Sequence, residues 1–137
     1  MASELKVNTL TGVSTAGSIA VTGEGNSTTT NLQQGLAKMW VSYSCASTTP
    51  KDSYNVASLT DNGTGDFTTT FTSAMSNDDY AVPTSSNNGD AGGTSYNLDP
   101  HAYATTSVRC DSFQNSTSVS AQLDAINNHI ALFGDLA

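Results

Sequence analysis

Apolar and polar positions alternate most clearly over residues 53–75, SYNVASLTDNGTGDFTTTFTSAM. Phe67, Thr69 and Phe71 alternate with Thr68 and Thr70, while Val56 and Leu59 occupy a preceding arm with Tyr54 just before it. Successive side chains of a strand point to opposite faces, so this pattern predicts one buried and one solvated face. Between the arms, Asp61-Asn62-Gly63-Thr64-Gly65-Asp66 carries an Asn-Gly pair that supplies the positive φ angles of a tight reversal. The second glycine admits a bulge. The stretch predicts a β-hairpin.

Elsewhere the alternation is shorter. Leu5/Val7 and Ile19/Val21 are spaced as in short strands, with breaks at Thr11-Gly12 and Ala16-Gly17. Residues 22–31 form a polar, glycine-containing linker, and Thr30 or Asn31 caps one or two helical turns over 32–37, weakened by Gly35. Met39, Val41 and Tyr43 face one way; Lys38, Trp40 and Ser42 face the other. Residues 46–52 are a loop with Pro50. Tyr80-Ala81-Val82 reads as a short strand, ended or forced to an edge by Pro83. Residues 84–95 (TSSNNGDAGGTS) read as a long loop, and 96–103 as irregular around Pro100. A strand over 104–113 places Val108 and Cys110 on one side, a turn follows, and Val119, Leu123 and Ile126 have helical spacing in a segment too short to decide. Ile130, Leu132 and Phe133 mark a closing strand.

Roughly six to eight strands separated by turn signals predict an all-β fold, an antiparallel, jelly-roll-like β-sandwich over residues 38–137. Residues 1–37 form an extended segment before it. Such a segment cannot bury Leu5, Val7, Leu10, Val13, Ile19 and Val21 by itself, because hairpins of this size are marginal in water. It packs on its own domain or on copies of itself, which makes these six the candidate subunit-interface residues.

Composition sharpens the picture. Among 137 residues are 20 Thr, 19 Ser and 12 Asn, so helix content is expected to be low. The net charge of −8 disfavours binding to nucleic acid or to anionic lipid. No stretch approaches the ~20 apolar residues that span a bilayer, and MASELKVNTL lacks the basic-then-apolar order of a secretory signal. Work outside a cell would then follow lysis or incorporation into an assembly. Cys45 and Cys110 both follow strand-like runs, which permits cross-strand adjacency; two buried free thiols is the plainer expectation.

Three segments carry a resemblance. They are LKVNTLTG with AGSIAVTGEG and TTNLQQGLAK, then W-V-x-Y followed by DSYNVASLTDNGTGDFTTTFT-x-AM, and the closing ALFGD. Together these resemble small fibre-like or decoration proteins of marine tailed bacteriophages, over most of residues 5–72 and the last six. The resemblance implies a virion structural protein that assembles as a homotrimer, located on the virion exterior or tail, with other virion proteins as partners. It supplies no catalytic residues and leaves tail and capsid positions open. A tail or head fibre for host attachment, a capsid decoration protein and a free carbohydrate-binding module are the competing readings.

Candidate chemistry is sparse. The Asp61–Asp66 turn and Asn77-Asp78-Asp79 offer oxygen ligands for Ca²⁺, but backbone geometry already accounts for the former and solvation for the latter. His101 and His129 join no Cys/His cluster, so no metal or other cofactor is expected. There is no Gly-x-Ser-x-Gly elbow, and nothing in the carboxylate spacing indicates glycoside cleavage, so no catalytic residue is assigned. Trp40, Tyr43, Tyr96 and Tyr103 have the flat apolar faces and polar edges that stack on sugars, although core packing is the commoner role. Tyr96 and Tyr103 flank the most loop-like region and are the candidate receptor-binding residues, with a host-surface glycan as ligand.

Overall fold

The computed structural model describes residues 4–12, 19–23, 29–89, 95–115 and 120–137. The chain divides into two units, Met1–Leu36 and Ala37–Ala137.

In the first unit, β1 (Ala20–Thr22) pairs antiparallel with β2 (Thr29–Asn31), which leads into the single turn of α1 (Leu32–Gly35). Asn31 caps that turn: its Oδ1 accepts the N–H groups of Gln33 (2.8 Å) and Gln34 (3.2 Å), satisfying two of the donors a helix start leaves free. The linker expected over 22–31 therefore ends in a strand. Conversely, the strand expected at Leu5 and Val7 is not formed, since residues 4–12 pair with no other described strand. A ladder needs a partner strand, and among the described residues none runs beside this segment. Leu5, Val7, Leu10 and Val21 are exposed, Leu5 at 79%, and Ile19 is half-buried. Val13 lies outside the described residues.

The second unit is built from antiparallel strands: β3 (Met39–Tyr43), β4 (Asp52–Tyr54), β5 (Val56–Gly63), β6 (Asp66–Phe71), β7 (Thr84–Asn87), β8 (Ser95–Ala104), β9 (Ser107–Asn115), β10 (Ser120–Gln122) and β11 (Asn127–Leu132). One sheet has the order β4-β3-β11-β7. In the other, β9 pairs with β8 along its length; β6 pairs with residues 107–111 of β9 and β10 with residues 113–115, and β5 lies outside β6. The all-β antiparallel expectation is met.

Both sheets feed one hydrophobic core. Met39, Val41, Tyr43, Ile130 and Leu132 come from the first; Leu59, Phe67, Phe71, Leu98, Val108 and Cys110 come from the second. Each large apolar side chain removed from water contributes about 1.5–3 kcal/mol before entropy is subtracted. The central hairpin forms as its alternation dictates, with Phe67, Thr69 and Phe71 all inward. A register shift between Val56 and Ser58 brings Val56, three residues from Leu59, to the same core. The preceding residues leave the hairpin altogether. Asn55 turns at φ 58°, so Asp52–Tyr54 pairs with β3 in the other sheet. The Asn55 amide holds this corner by donating to the carbonyls of Lys38 (3.0 Å) and Ser73 (3.2 Å).

Three expectations need correction, and one open segment is decided. Residues 84–87 are strand rather than loop, because backbone pairing with β11 does not require apolar side chains. Residues 95–104 are strand despite Pro100, which sits beside a register shift in β8, where a missing N–H is tolerated. The segment that helical spacing left undecided resolves, over residues 120–122, as a strand of the second sheet. Of Tyr80-Ala81-Val82, only Ala81 makes a ladder contact, with Phe133. In addition, Lys38 is buried rather than outward-facing. Cys45 and Cys110 are buried, unpaired thiols, the plainer of the two arrangements expected for them.

Gly65, in the hairpin turn, has φ +71°, and a Cβ there would lie 2.7 Å from the Ser112 carbonyl oxygen and 2.9 Å from the backbone of Leu123. Gly63, at φ +141°, has nothing within 4 Å. Gly65→Ala is expected to cost about 3 kcal/mol or more and Gly63→Ala about 1–2 kcal/mol, read from urea denaturation midpoints. Equal losses would show that φ alone sets the requirement.

Candidate functional site

The two sheets diverge where edge strands β7 and β8 meet. These strands share no ladder; instead the Thr84 hydroxyl donates to the Leu98 carbonyl at 2.7 Å. The divergence leaves a groove of about 440 Å³. β7 contributes Thr84, Ser85 and Ser86, β8 contributes Tyr96, Asn97, Leu98 and Asp99, and β9 contributes Phe113 and Asn115. Side chains on a strand alternate, so the edge position of β8 brings both its faces to the groove: Tyr96 and Leu98 from one, Asn97 and Asp99 from the other. The walls are mostly hydroxyl and amide, with two aromatic rings and one carboxylate.

Below the groove lies a buried polar network. Asn128, fully buried on β11, accepts the Ser86 hydroxyl through Oδ1 (2.7 Å). Its Nδ2 donates to the Ala125 carbonyl (3.0 Å) and to Cys45 Sγ (3.1 Å). Ser112, also fully buried, lies 3.5 Å from the Ser86 hydroxyl. Satisfied buried polar groups fix a unique arrangement, and here they hold Ser86 at the groove wall.

The two candidate receptor-binding tyrosines are not brought together. Tyr96 lines the groove; Tyr103 lies seven residues on, at the far end of β8, about 20 Å away at the rise of a strand. Tyr103 packs on Tyr80 (ring centroids 5.5 Å apart), and Tyr80 meets Phe71 edge-on at 6.1 Å. The Tyr80 hydroxyl donates toward the carbonyls of Ala104 (3.0 Å) and Ser107 (2.9 Å), closing the β8–β9 turn. Burial pushes the Tyr80 phenol up to about 12 and raises Tyr103 as well. Of the other aromatic candidates, Tyr43 is core, whereas Trp40 is exposed and faces Tyr54 across β3 and β4 on the outer side of the first sheet. The groove itself was missed in sequence, because its β7 wall lies in the stretch read as a loop, and the uniformly polar TSSN carries no alternation to mark a strand.

The hairpin turn uses its acids internally. Asp61 Oδ1 accepts the Gly63 N–H (2.9 Å), and the Asn62 amide donates to Asp66 Oδ1 (3.2 Å) and Thr68 Oγ1 (2.9 Å). Arg109 grips Asp66 with two bonds, Nε to Oδ1 at 2.7 Å and Nη2 to Oδ2, which holds the Asp66 carboxyl below its ordinary range. His101 lies 3.6 Å from Asp111, and His129 projects from the outer side of β11 between Ser42 and Ser85. Among the described residues, no three His, Cys, Asp or Glu side chains are grouped to hold a metal ion, and no helix is long and apolar enough to cross a membrane.

No protein-family model matches the chain, and neither curated proteins nor solved structures provide a match.

Asn128 and the two buried thiols each give a prediction. Asn128→Ala removes three hydrogen bonds in the core and is expected to cost about 2–4 kcal/mol, against about 0.5 kcal/mol or less for Ser85→Ala, measured by thermal unfolding. The thiols give a pH prediction. Burial, aided by the charge of Asp124, pushes Cys45 up to about 11; burial, aided by Asp111, pushes Cys110 up to about 12. Both lie above the ordinary 9.0, so folding favours the neutral thiols. Their contribution to stability is fully present below pH 9 and declines as pH rises toward 11 and 12. Both thiols are buried and neutral at pH 8, so an aromatic disulfide reagent should label neither cysteine in the native protein and both after unfolding.

Proposed function

We propose that this protein is a bacteriophage virion structural protein: a homotrimeric tail or head fibre that displays a β-sandwich for attachment to the host surface. The observation that carries the reading is the contrast between the two units. The second unit closes a core of its own, whereas the first leaves Leu5, Val7, Leu10 and Val21 in solvent. Exposed apolar side chains in a short segment mark a surface that partner chains cover. In the proposed trimer, three copies of the segment bury one another's Leu5, Val7, Leu10 and Val21. Two antiparallel sheets sharing one core support a sandwich, jelly-roll-like in the proposed fold. The resemblance of the N-terminal and hairpin motifs to phage fibre and decoration proteins supports the virion setting. The hydroxyl- and amide-rich surface with a charge of −8 suits a particle exterior and disfavours nucleic acid as a partner.

Sedimentation velocity of the full chain tests this. The expected species is elongated, with three times the 14.1 kDa chain mass, and Leu5→Asp with Val7→Asp should dissociate it while leaving the melting transition of the second unit unchanged. A wild-type monomer at micromolar concentration overturns the trimer. Binding to isolated capsids with a rise in their melting temperature assigns the protein to capsid decoration instead.

A further inference from the structure

We propose that the groove between β7 and β8 is the receptor site and that its ligand is an uncharged saccharide. This rests on the reading of the protein as a host-surface attachment protein and specifies where and what it binds.

The lining sets the ligand class. A sugar ring offers a face of C–H groups for an aromatic ring and a rim of hydroxyls for hydrogen bonds. Tyr96 and Phe113 supply rings, and Thr84, Ser85, Ser86, Asn97 and Asn115 supply donors and acceptors. The volume of about 440 Å³ lies within the usual range for small-ligand sites and suits a short oligosaccharide. An apolar ligand would strand the hydroxyl and amide walls without partners.

Charge excludes the acidic sugars. None of the lining residues is Lys, Arg or His, and Asp99 puts a carboxylate in the wall. The chain holds four Lys and Arg in all, and the structure commits them elsewhere. Lys38 is buried, and Arg109 grips Asp66. Lys51 donates to the Ile126 carbonyl and Asn127 Oδ1, both at 2.5 Å, and Lys6 pairs with Glu4 in the N-terminal unit. A sialic acid, uronate or sugar phosphate would be desolvated beside Asp99 without a countercharge. A neutral hexose or N-acetylhexosamine meets no such penalty, and Asp99 accepts from its hydroxyls as a charged, strong acceptor.

The site is also built before ligand arrives. Asn128 fixes Ser86 from below, and the Thr84 bond to Leu98 spans the two strands. Walls already ordered lose little entropy on binding.

The test is a glycan array probed with the full-length protein. Neutral hexose and N-acetylhexosamine oligosaccharides are printed beside their sialylated, uronylated and phosphorylated counterparts, and hits are titrated by calorimetry. Binding is expected to neutral members only. Tyr96→Ala should weaken it about tenfold or more, exposed Asn97→Ala about threefold or more without threatening the fold, and Tyr103→Ala by less than about twofold. Preference for the acidic counterparts, equal sensitivity to Tyr103→Ala, or insensitivity to both Tyr96→Ala and Asn97→Ala overturns the proposal. So does a trimeric, virion-incorporated protein that binds no glycan, an outcome that leaves the structural role standing. Failure to trimerise and to enter virions instead removes the reading beneath it.

Discussion

One junction organises the second unit. At Ser112 the edge of β9 passes from one partner strand to another, and a single glycine makes this possible. The Ser112 N–H donates to the Gly65 carbonyl at 2.6 Å, while the Ser112 carbonyl accepts the Leu123 N–H at 3.0 Å. The Gly65 N–H in turn donates to the Asp124 carboxylate at 2.7 Å. The turn of the β5–β6 hairpin is thus inserted where β6 ends and β10 begins, with no room for a side chain. From there the tie continues: the carbonyl of buried Ala125 accepts both the Cys45 N–H and the Asn128 amide at 3.0 Å, which joins the β10–β11 connection to the first sheet. Displacing Gly65 would leave backbone polar groups of three segments buried without partners, which is why geometry here is not negotiable.

The core that both sheets share is uneven, and the unevenness explains the surface. Near Ser112 it is polar, with Asn128, Ser86 and Ser112 meeting beneath the groove. Toward the β8–β9 turn it is aromatic, with Phe71, Tyr80 and Tyr103 packed in series. An aromatic end fills space and closes. A polar end with small side chains cannot fill the gap between β7 and β8, and a groove lined with hydroxyls and amides remains. No cation lines that groove, because Lys38, Lys51 and Arg109 are buried or held in internal bonds.

The hairpin was legible because its information is local: alternation, an Asn-Gly reversal and a second glycine lie within two dozen residues. The inward set of β3, Met39, Val41 and Tyr43, was legible for the same reason, as was a cap at Thr30 or Asn31, of which the structure uses Asn31. The strands at 84–87 and 95–104 were not. Their ladders are satisfied by β11 and β9, far away in sequence, so neither polar TSSN nor Pro100 decided the outcome. Tyr96 and Tyr103 were chosen by residue type, and their separation depended on a ten-residue strand that sequence disguised as irregular.

By itself, then, the sequence determined the class of fold, the facing of its clearest strands and the surplus of apolar side chains in the first 21 residues, since these follow from side-chain period and composition. Only the tertiary structure decided which strands share a sheet, that Asn55 sends the chain from one sheet to the other, and that the groove lies at the β7–β8 divergence. Backbone hydrogen bonds are alike at every residue, so pairing over long separations leaves no mark on residue type. It is settled when the core closes and each ladder takes the partner that packing brings within reach.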